Sequence, residues 1–101
     1  MSNIIDLIPY TTRVDFISSQ DTNGYQKLPG GLVIQWGSVT AASDGTSVDF
    51  PIAFPNNCIN IQLTEENSSS AGAVSYSNVS TTGFTAYNSA GNVTNWLAIG
   101  Y

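Results

Sequence analysis

The sequence predicts an all-β fold, a compact antiparallel β-sandwich with an extended N-terminal segment. Few windows of the chain place apolar residues at helical spacing, whereas β-branched or alternating runs recur between clusters of Gly, Asn, Ser and Pro. The 101 residues are enough for one domain with a single core. A compact barrel is the alternative arrangement of the same strands, because it also closes antiparallel strands around one core.

Six strands are predicted, and the breaks between them contain residues that favour turns. Asp44-Gly45 is the strongest hairpin signal in the chain, because this dipeptide tolerates the positive φ angles of tight turns. Gly91-Asn92 gives a second turn signal between two strands that contain aromatic residues. The predicted strands are residues 32–39, 47–54, 59–65, 73–79, 84–88 and 95–101.

Alternation along three of these strands predicts which side chains face the core. In CINIQLTE the apolar residues Ile59, Ile61 and Leu63 share one face, so this strand is predicted to be half buried. GLVIQWG and NWLAIGY carry apolar residues on both faces. Strands of that kind are either central in a fold or covered by a partner chain, and both alternatives are open.

Residues 1–30 differ in composition from the rest of the chain. They contain both of its basic residues, Arg13 and Lys27, and they end at Pro29 and Gly30. IIDLIPY is too apolar for a free linker, yet the segment is too short to form a core of its own. We therefore expect residues 1–30 to be extended and to pack against other chains, and residues 31–101 to form the β-sandwich.

The composition favours a polar, weakly charged surface. Charged residues make up 9% of the chain, and Ser, Thr and Asn supply 33 of its 101 residues. Such a surface is typical of proteins outside a cell or on a particle, and its side chains can hydrogen-bond neutral sugar hydroxyls. The net charge of −5 offers no basic surface to a phosphate backbone, so we expect no nucleic-acid binding.

The first residues carry neither a secretory signal nor a run of apolar residues long enough to insert into a membrane. A single cysteine, Cys58, cannot form an internal disulfide, and its simplest role is that of a small buried side chain. These features predict synthesis in a cytoplasm.

The residues that most enzymes need are nearly absent. The chain has no histidine, which removes the most common general base, the usual nucleophile pairs and most zinc sites. The β domain offers the carboxylates of Asp44, Asp49, Glu65 and Glu66, but Glu65 and Glu66 are adjacent and point to opposite sides of a strand. No calcium-loop pattern occurs. We expect no enzymatic activity, no cofactor and no metal site.

Three stretches of the chain, taken in order, resemble a known family. NGYQKLPGGLVIQWG, VDFPIAFPNNCINIQLT and the terminal NWLAIGY are similar to the C-terminal domain of tail fibre proteins of tailed bacteriophages and prophages, the gp53-like tail fibre tip family. The resemblance covers about residues 23–101. Gly30 is a departure, because LPSG or a similar sequence is expected in place of LPGG, and a loop should tolerate this change.

The resemblance implies a homotrimeric fibre of a virion tail, whose distal β-sandwich head binds a bacterial surface receptor, often the glycan of lipopolysaccharide. Its partners are then two further copies of the chain, the rest of the tail fibre and the receptor. Residues 1–30 become the shaft-proximal segment, and residues 31–101 become the receptor-binding tip. GYQKLPGG is then the joint, where Pro29 fixes one φ angle and the following glycines permit a turn.

Receptor contacts are expected in the loops between the three stretches, because the stretches themselves form the framework. The candidate loops are TAASDGTS, EENSSSAG, SNVSTTG and NSAGNVTN. Aromatic residues in polar strands are the best candidates for stacking on a sugar, which favours Tyr87 in AYNS and Tyr76 in SYSN. We predict receptor binding by Tyr87, Asn88, Asn92 and Asn95 first, and by Tyr76 second.

Three alternative functions remain open at this stage. The fibre tip of a phage-tail-like bacteriocin would have the same domain. A structural trimerisation cap would leave receptor binding to another part of the particle. A depolymerase that cuts a host polysaccharide is disfavoured by the missing histidine and by the lack of a second domain.

Overall fold

The structure is a computed structural model of the chain, and it describes residues 17–67 and 71–101. Eight strands form two antiparallel sheets, and the described residues contain no helix. The predicted all-β fold is therefore confirmed. The strands are β1 (Ser18–Ser19), β2 (Gly24–Lys27), β3 (Val33–Thr40), β4 (Thr46–Asp49), β5 (Cys58–Glu65), β6 (Val74–Ser77), β7 (Gly83–Asn88) and β8 (Val93–Gly100).

The larger sheet has five strands in the order β1-β2-β3-β8-β5, and the smaller has three in the order β4-β7-β6. β3 and β8 are neighbours in the interior of the larger sheet and pair from Val33–Gly100 to Thr40–Val93. Their apolar residues on both faces are therefore explained at least in part by a central position in the sheet.

The core lies between the two sheets and is built around aromatic rings. Phe84 of β7 packs edge-on against Trp96 of β8, with ring centroids 5.7 Å apart. Phe50 lies 5.7 Å from each of these rings and 4.9 Å from Phe54. Because β7 and β8 belong to different sheets, this cluster joins the two layers.

The prediction of a strand over residues 47–54 is correct only at its beginning. β4 ends at Asp49, and the chain then leaves the sheet, so that Phe50 and Phe54 turn into the core. The buried side chain of Gln35 replaces strand pairing in this segment: its Nε2 donates to the carbonyl of Ile52 at 2.9 Å, and its Oε1 accepts from the amide of Ile52 at 3.0 Å.

The prediction that Ile59 shares the core face with Ile61 is wrong. Pairing between β5 and β8 shifts register between Cys58 and Asn60, which marks a β-bulge. The extra residue of a bulge leaves the alternation of the strand. Cys58 and Ile61 are consequently buried, whereas Ile59 is 55% exposed.

Two strands were not predicted from the sequence. β1 and β2 lie within the segment assigned to residues 1–30, and β2 pairs with β3 from Gly24–Trp36 to Lys27–Val33. The described part of that segment thus extends the larger sheet of its own chain. Residues 1–16 lie outside the described part of the chain, so the packing predicted for them against other chains stays a prediction.

The strand directions give the fold two ends. We call one the entry end, because the described chain begins there at Ile17, whose carbonyl accepts from the amide of Lys27 at 2.9 Å. The opposite end, which we call the loop end, holds the connections between β3 and β4, between β5 and β6, and between β7 and β8. These connections are residues 41–45, 66–73 and 89–92, of which the structure describes all except 68–70.

Candidate functional site

Three of the four predicted recognition loops meet at the loop end. TAASDGTS, EENSSSAG and NSAGNVTN contain the connections that define it. The fourth, SNVSTTG, connects β6 to β7 at the entry end, where the carbonyls of Thr81 and Thr82 each accept a backbone hydrogen bond at 2.8 Å, from Phe54 and Phe50 respectively. A single ligand of ordinary size therefore cannot contact all four loops of one chain.

Backbone hydrogen bonds join the loops at the loop end. The amide of Ala41 donates to the carbonyl of Asn92 at 3.2 Å, and the amide of Asn88 donates to the carbonyl of Ala42 at 3.3 Å. The amide of Ser89 donates to the carbonyl of Ala73 at 3.0 Å. Each loop thus satisfies backbone groups of another, so the three loops form one connected surface.

Asn88 organises this surface from inside. Its side chain has no exposed area, and its Nδ2 donates to Oγ1 of the buried Thr94 at 3.1 Å. Its Oδ1 accepts from the amide of Ala90 at 2.9 Å, which sets the turn after β7. A side chain with no exposed area is not available to a ligand, so the structure gives Asn88 a supporting position rather than a contact position.

Glu65 is the last residue of β5, and its side chain is hydrogen-bonded to the connection between β5 and β6 and to the connection between β7 and β8. Its two carboxylate oxygens accept from the amide of Gly72 at 2.9 and 3.0 Å, and Oε2 also accepts from Nδ2 of Asn92 at 3.3 Å. These hydrogen bonds favour the charged carboxylate, and the amide of Gly72 is the largest reason that the pKa of Glu65 lies below its ordinary value.

Tyr87 lies on the outer face of the smaller sheet, next to the loop end. Its hydroxyl is 2.9 Å from Oγ of Ser77. Its ring packs over Gly45, which has a φ of +105°, and a Cβ added to Gly45 would approach Cε1 of Tyr87 to 2.8 Å. Glycine is therefore required there both by backbone conformation and by the position of the ring.

The other predicted residues do not join Tyr87 in one site. Asn95 is exposed on the outer face of the larger sheet, where its Nδ2 donates to Oε2 of Glu66 at 3.4 Å. Tyr76 pairs with the buried Ala86 and therefore faces the other side of the smaller sheet, with its ring 6.4 Å from that of Phe84. The structure thus does not bring the five residues predicted to contact a receptor together on one surface.

Sequence reasoning did not identify the hydroxyl side chains around Tyr87. β7 alternates buried Phe84, Ala86 and Asn88 with the partly exposed Thr85 and Tyr87. Ser47 and Ser77 pair with Thr85 from the two neighbouring strands, so all three share the outer face with Tyr87. The two-residue period of GFTAYN was the signal that could have placed Thr85 beside Tyr87.

The outer faces of the two sheets differ in chemistry. Ile34 and Trp36 of β3 lie beside Leu97 and Ile99 of β8 on the outer face of the larger sheet, and we call these four residues the apolar face. Leu97 is 48% exposed within the chain. The outer face of the smaller sheet carries mainly hydroxyl groups instead. One side of the domain is thus suited to packing and the other to hydrogen bonding.

Charges are distributed unevenly along the domain. The described residues contain five carboxylate side chains and a single cation, Lys27, which lines a cavity of about 160 Å³ at the entry end. Leu28, Gly31, Val33 and Pro55 form the rest of that cavity. Asp44, Glu65 and Glu66 lie at the loop end without a basic side chain among the described residues there.

The described part of the chain contains no group of three acidic, cysteine or histidine side chains arranged to hold a metal ion. Burial raises the pKa of the Cys58 thiol above its ordinary value. No helix of a length and polarity suited to crossing a membrane occurs in residues 17–67 or 71–101.

One family model matches about three quarters of the chain. Residues 27–101 match a family model described as "Putative tail fiber protein gp53-like, C-terminal". Among solved structures, an N-truncated R2-type pyocin tail fibre is similar, with a TM-score of 0.75 and 26% sequence identity over 84% of this chain and 37% of that chain.

Two curated proteins are also similar to this chain. The uncharacterized protein StfP of Escherichia coli K12 is 34% identical over an alignment of 79 residues, and the match covers 69% of this chain and 38% of that protein. The uncharacterized protein MJ0347 of Methanocaldococcus jannaschii is 42% identical over an alignment of 50 residues, and the match covers 46% of this chain and 33% of that protein. The aligned part therefore spans 33% to 38% of the length of these relatives.

Proposed function

Because the chain belongs to the gp53-like tail fibre C-terminal family, we propose that it forms the distal tip of a tail fibre and binds a bacterial surface receptor for host attachment. The receptor is lipopolysaccharide or another surface glycan. The observation that carries this proposal is the loop end, where three connections are hydrogen-bonded to one another opposite the end at which the described chain begins. In this arrangement the entry end faces the shaft and the loop end faces the cell.

The loop end is suited to binding because its shape is set before a receptor arrives. Hydrogen bonds to the side chains of Asn88 and Glu65 fix the conformation of the turns in the free chain. Receptor binding therefore costs less backbone entropy. Ser43, Asp44 and Ala90 are exposed at its surface. Asn92 belongs to the same surface, and Tyr87 adjoins it on the smaller sheet.

A homotrimer is part of this proposal, and the apolar face supports it. Leu97 is exposed and the other three side chains of the apolar face are partly buried, so the described residues cover this patch only in part. Contact with two further copies of the chain would remove this patch from water, which is the usual use of a contiguous apolar surface. The remainder of the fibre would then continue from the entry end.

Binding rather than catalysis is proposed. The chain has no histidine, and the carboxylate of Glu65 is engaged by the amide of Gly72 and by Asn92. A carboxylate held in its charged form by such hydrogen bonds is a poor general acid.

A phage tail-like bacteriocin is the second candidate particle, and the similarity to an R2-type pyocin tail fibre favours including it. In either particle the chain would be made in the cytoplasm of the producing cell and would act as a tail component. Purification of the particle, followed by a test for packaged DNA, separates a virion from a bacteriocin.

The proposal is tested by measuring adsorption of the fluorescently labelled chain to a panel of bacterial strains, after its mass is determined by sedimentation equilibrium. Ser43→Trp places a bulky side chain at the loop end and should abolish adsorption to strains that the unaltered chain stains. Asn56→Trp is the matched control at the entry end and should leave adsorption intact. Equal adsorption of both variants would mean that another surface of the chain binds the cells, and no adsorption of the unaltered chain to any strain would favour a structural trimerisation cap.

A further inference from the structure

The outer face of the three-stranded sheet has the composition of a sugar-binding surface. Tyr87 and Thr85 of the central strand β7 point outward, and the pairing places Ser47 on one side of Thr85 and Ser77 on the other. Ser75 lies directly opposite Tyr87. We call these five residues the Tyr87 face. It presents one aromatic ring and four hydroxyl groups on adjacent strands.

The ring of Tyr87 is held in a fixed position on this face. Its hydroxyl is 2.9 Å from Oγ of Ser77, and its ring edge lies against Gly45, where even a methyl group would collide. The side chain is only partly buried. A pyranose ring has an apolar surface of C–H groups that stacks on such a fixed aromatic ring, and stacking then costs little side-chain entropy.

The polar groups beside the ring are neutral and ordered. Asn78 has a φ of +53°, a conformation that asparagine tolerates better than most residues, and its Nδ2 lies 3.4 Å from Oγ1 of Thr85. Hydroxyl groups can both donate and accept hydrogen bonds, as sugar hydroxyls do. The Tyr87 face therefore offers uncharged hydrogen-bond donors and acceptors to the hydroxyl groups around a sugar ring.

The charges near this face exclude an acidic sugar as its preferred ligand. Asp49 extends β4 on the same side of the sheet as Ser47 and Thr85, and Asp44 precedes Gly45 in the adjacent turn. Lys27, the single cation among residues 17–67 and 71–101, lies at the entry end of the other sheet. A carboxylate or phosphate group would meet like charge here and no partner.

We propose that the Tyr87 face binds an uncharged pyranose unit of the bacterial surface polysaccharide, by stacking on Tyr87 and hydrogen bonds to the surrounding hydroxyls. This inference rests on the proposed function and narrows its receptor to a neutral sugar. Because no charged pair forms in the complex, binding does not weaken as salt is raised. Sites on several copies of the chain would add avidity to a weak single contact.

The test uses saturation-transfer NMR of the full chain with two groups of probes. The neutral probes are methyl glycosides of glucose, galactose, mannose and rhamnose, and the acidic probes are glucuronic acid and glucose 6-phosphate. We expect saturation transfer to at least one neutral probe, with little change from low to high sodium chloride, and none to the acidic probes. Preferential binding of an acidic probe that is lost in salt would overturn the inference.

Single substitutions on the Tyr87 face, with a control elsewhere, test whether the sugar binds at this face. Tyr87→Ala should weaken binding of the neutral probe by at least about tenfold, whereas Tyr87→Phe keeps the ring and should stay within about threefold. Thr85→Val removes one hydroxyl at nearly constant volume and should also weaken binding. Tyr101→Ala, at an exposed tyrosine of the entry end, is the matched control, and the melting temperature of every variant is measured to recognise misfolding.

The outcomes separate this inference from the proposed function. If the unaltered chain adsorbs to cells but binds no neutral probe, or if Tyr87→Ala binds as well as the unaltered chain, the inference fails and the fibre-tip function stands. If the unaltered chain neither adsorbs to any strain nor binds a neutral probe, both fail.

Discussion

Nδ2 of Asn92 lies 3.3 Å from Oε2 of Glu65, so the turn before β8 is tied to the end of β5. The same carboxylate accepts from the backbone amide of Gly72. Two strand connections, between β5 and β6 and between β7 and β8, are thus tied to one charged group. The loop end is therefore ordered by hydrogen bonds within the chain itself.

Replacing Glu65 should change how stability depends on pH. The pKa of Glu65 is lowered in the folded chain, chiefly by the amide of Gly72. Its contribution to stability is therefore complete above the ordinary pKa of the unfolded chain and is lost as the pH falls through the lowered folded value. Between about pH 5 and pH 3 the melting temperature of the unaltered chain should fall more steeply than that of Glu65→Gln.

Thermal unfolding followed by circular dichroism at several pH values checks this prediction. Glu66→Gln is the matched control, because the carboxylate of Glu66 receives one longer hydrogen bond, from Asn95 at 3.4 Å. Parallel melting curves for the unaltered chain and Glu65→Gln over this pH range would contradict the role assigned to the carboxylate.

Removing the buried amide of Asn88 should destabilise the whole domain. Asn88→Ala leaves the amide of Ala90 without its acceptor and the hydroxyl of Thr94 without its donor. Each unsatisfied group costs about 1–3 kcal/mol when it stays buried. We expect a decrease of about 2 kcal/mol or more in the free energy of unfolding, measured with urea. The exposed Asn56→Ala should change it by less than about 0.5 kcal/mol.

Adding a methyl group at Gly45 should displace Tyr87. Gly45 and Gly30 both have positive φ angles, +105° and +91°, but only at Gly45 would the new Cβ meet other atoms. Gly30→Ala should therefore cost about 1–2 kcal/mol of backbone strain, and Gly45→Ala should cost more. NMR chemical shifts of Tyr87 and Ser77 should move in Gly45→Ala alone. Unchanged shifts in both variants would mean that the ring does not rest on this glycine.

A charge on the apolar face should prevent self-association. Leu97→Lys places an ammonium group in the centre of the proposed contact between copies, and a buried unpaired charge is costly. We expect a trimer to become a monomer in sedimentation equilibrium. Because Leu97 is 48% exposed within one chain, the fold itself should tolerate the change. Thr64→Lys, at the polar edge of the same face, should remain a trimer, and a trimeric Leu97→Lys would refute the assignment.

Much of the strand framework could be predicted from local sequence. β7 and β8 follow the two-residue alternation, and connections between strands occur at Asp44-Gly45 and at Gly91-Asn92. The hairpin indicated by Asp44-Gly45 does not form, because β3 and β4 belong to different sheets. The extra residue at Ile59 could not be predicted, because a β-bulge depends on pairing with β8 and leaves no local signal. β1 and β2 depend in the same way on the edge of β3.

The candidate site was harder to predict than the fold. The signal for Asn88 and Tyr87 was their place beside a polar turn, but adjacent strand residues point to opposite faces, and only one of the two is accessible. Asn95 and Tyr76 were chosen by the same local reasoning and lie on other surfaces. Which side chains share a surface is set by long-range pairing.

The side-chain support of the loop end has a practical consequence for changing the proposed receptor specificity of the domain. Exposed positions such as Ser43, Asp44 and Ala90 can be randomised together in a display library, while Asn88 and Glu65 are kept constant. Most members of such a library should still fold, because the randomised side chains contribute little to stability. Selection would then act on recognition alone, and a new host range would come from changes at the tips of turns whose backbone is retained.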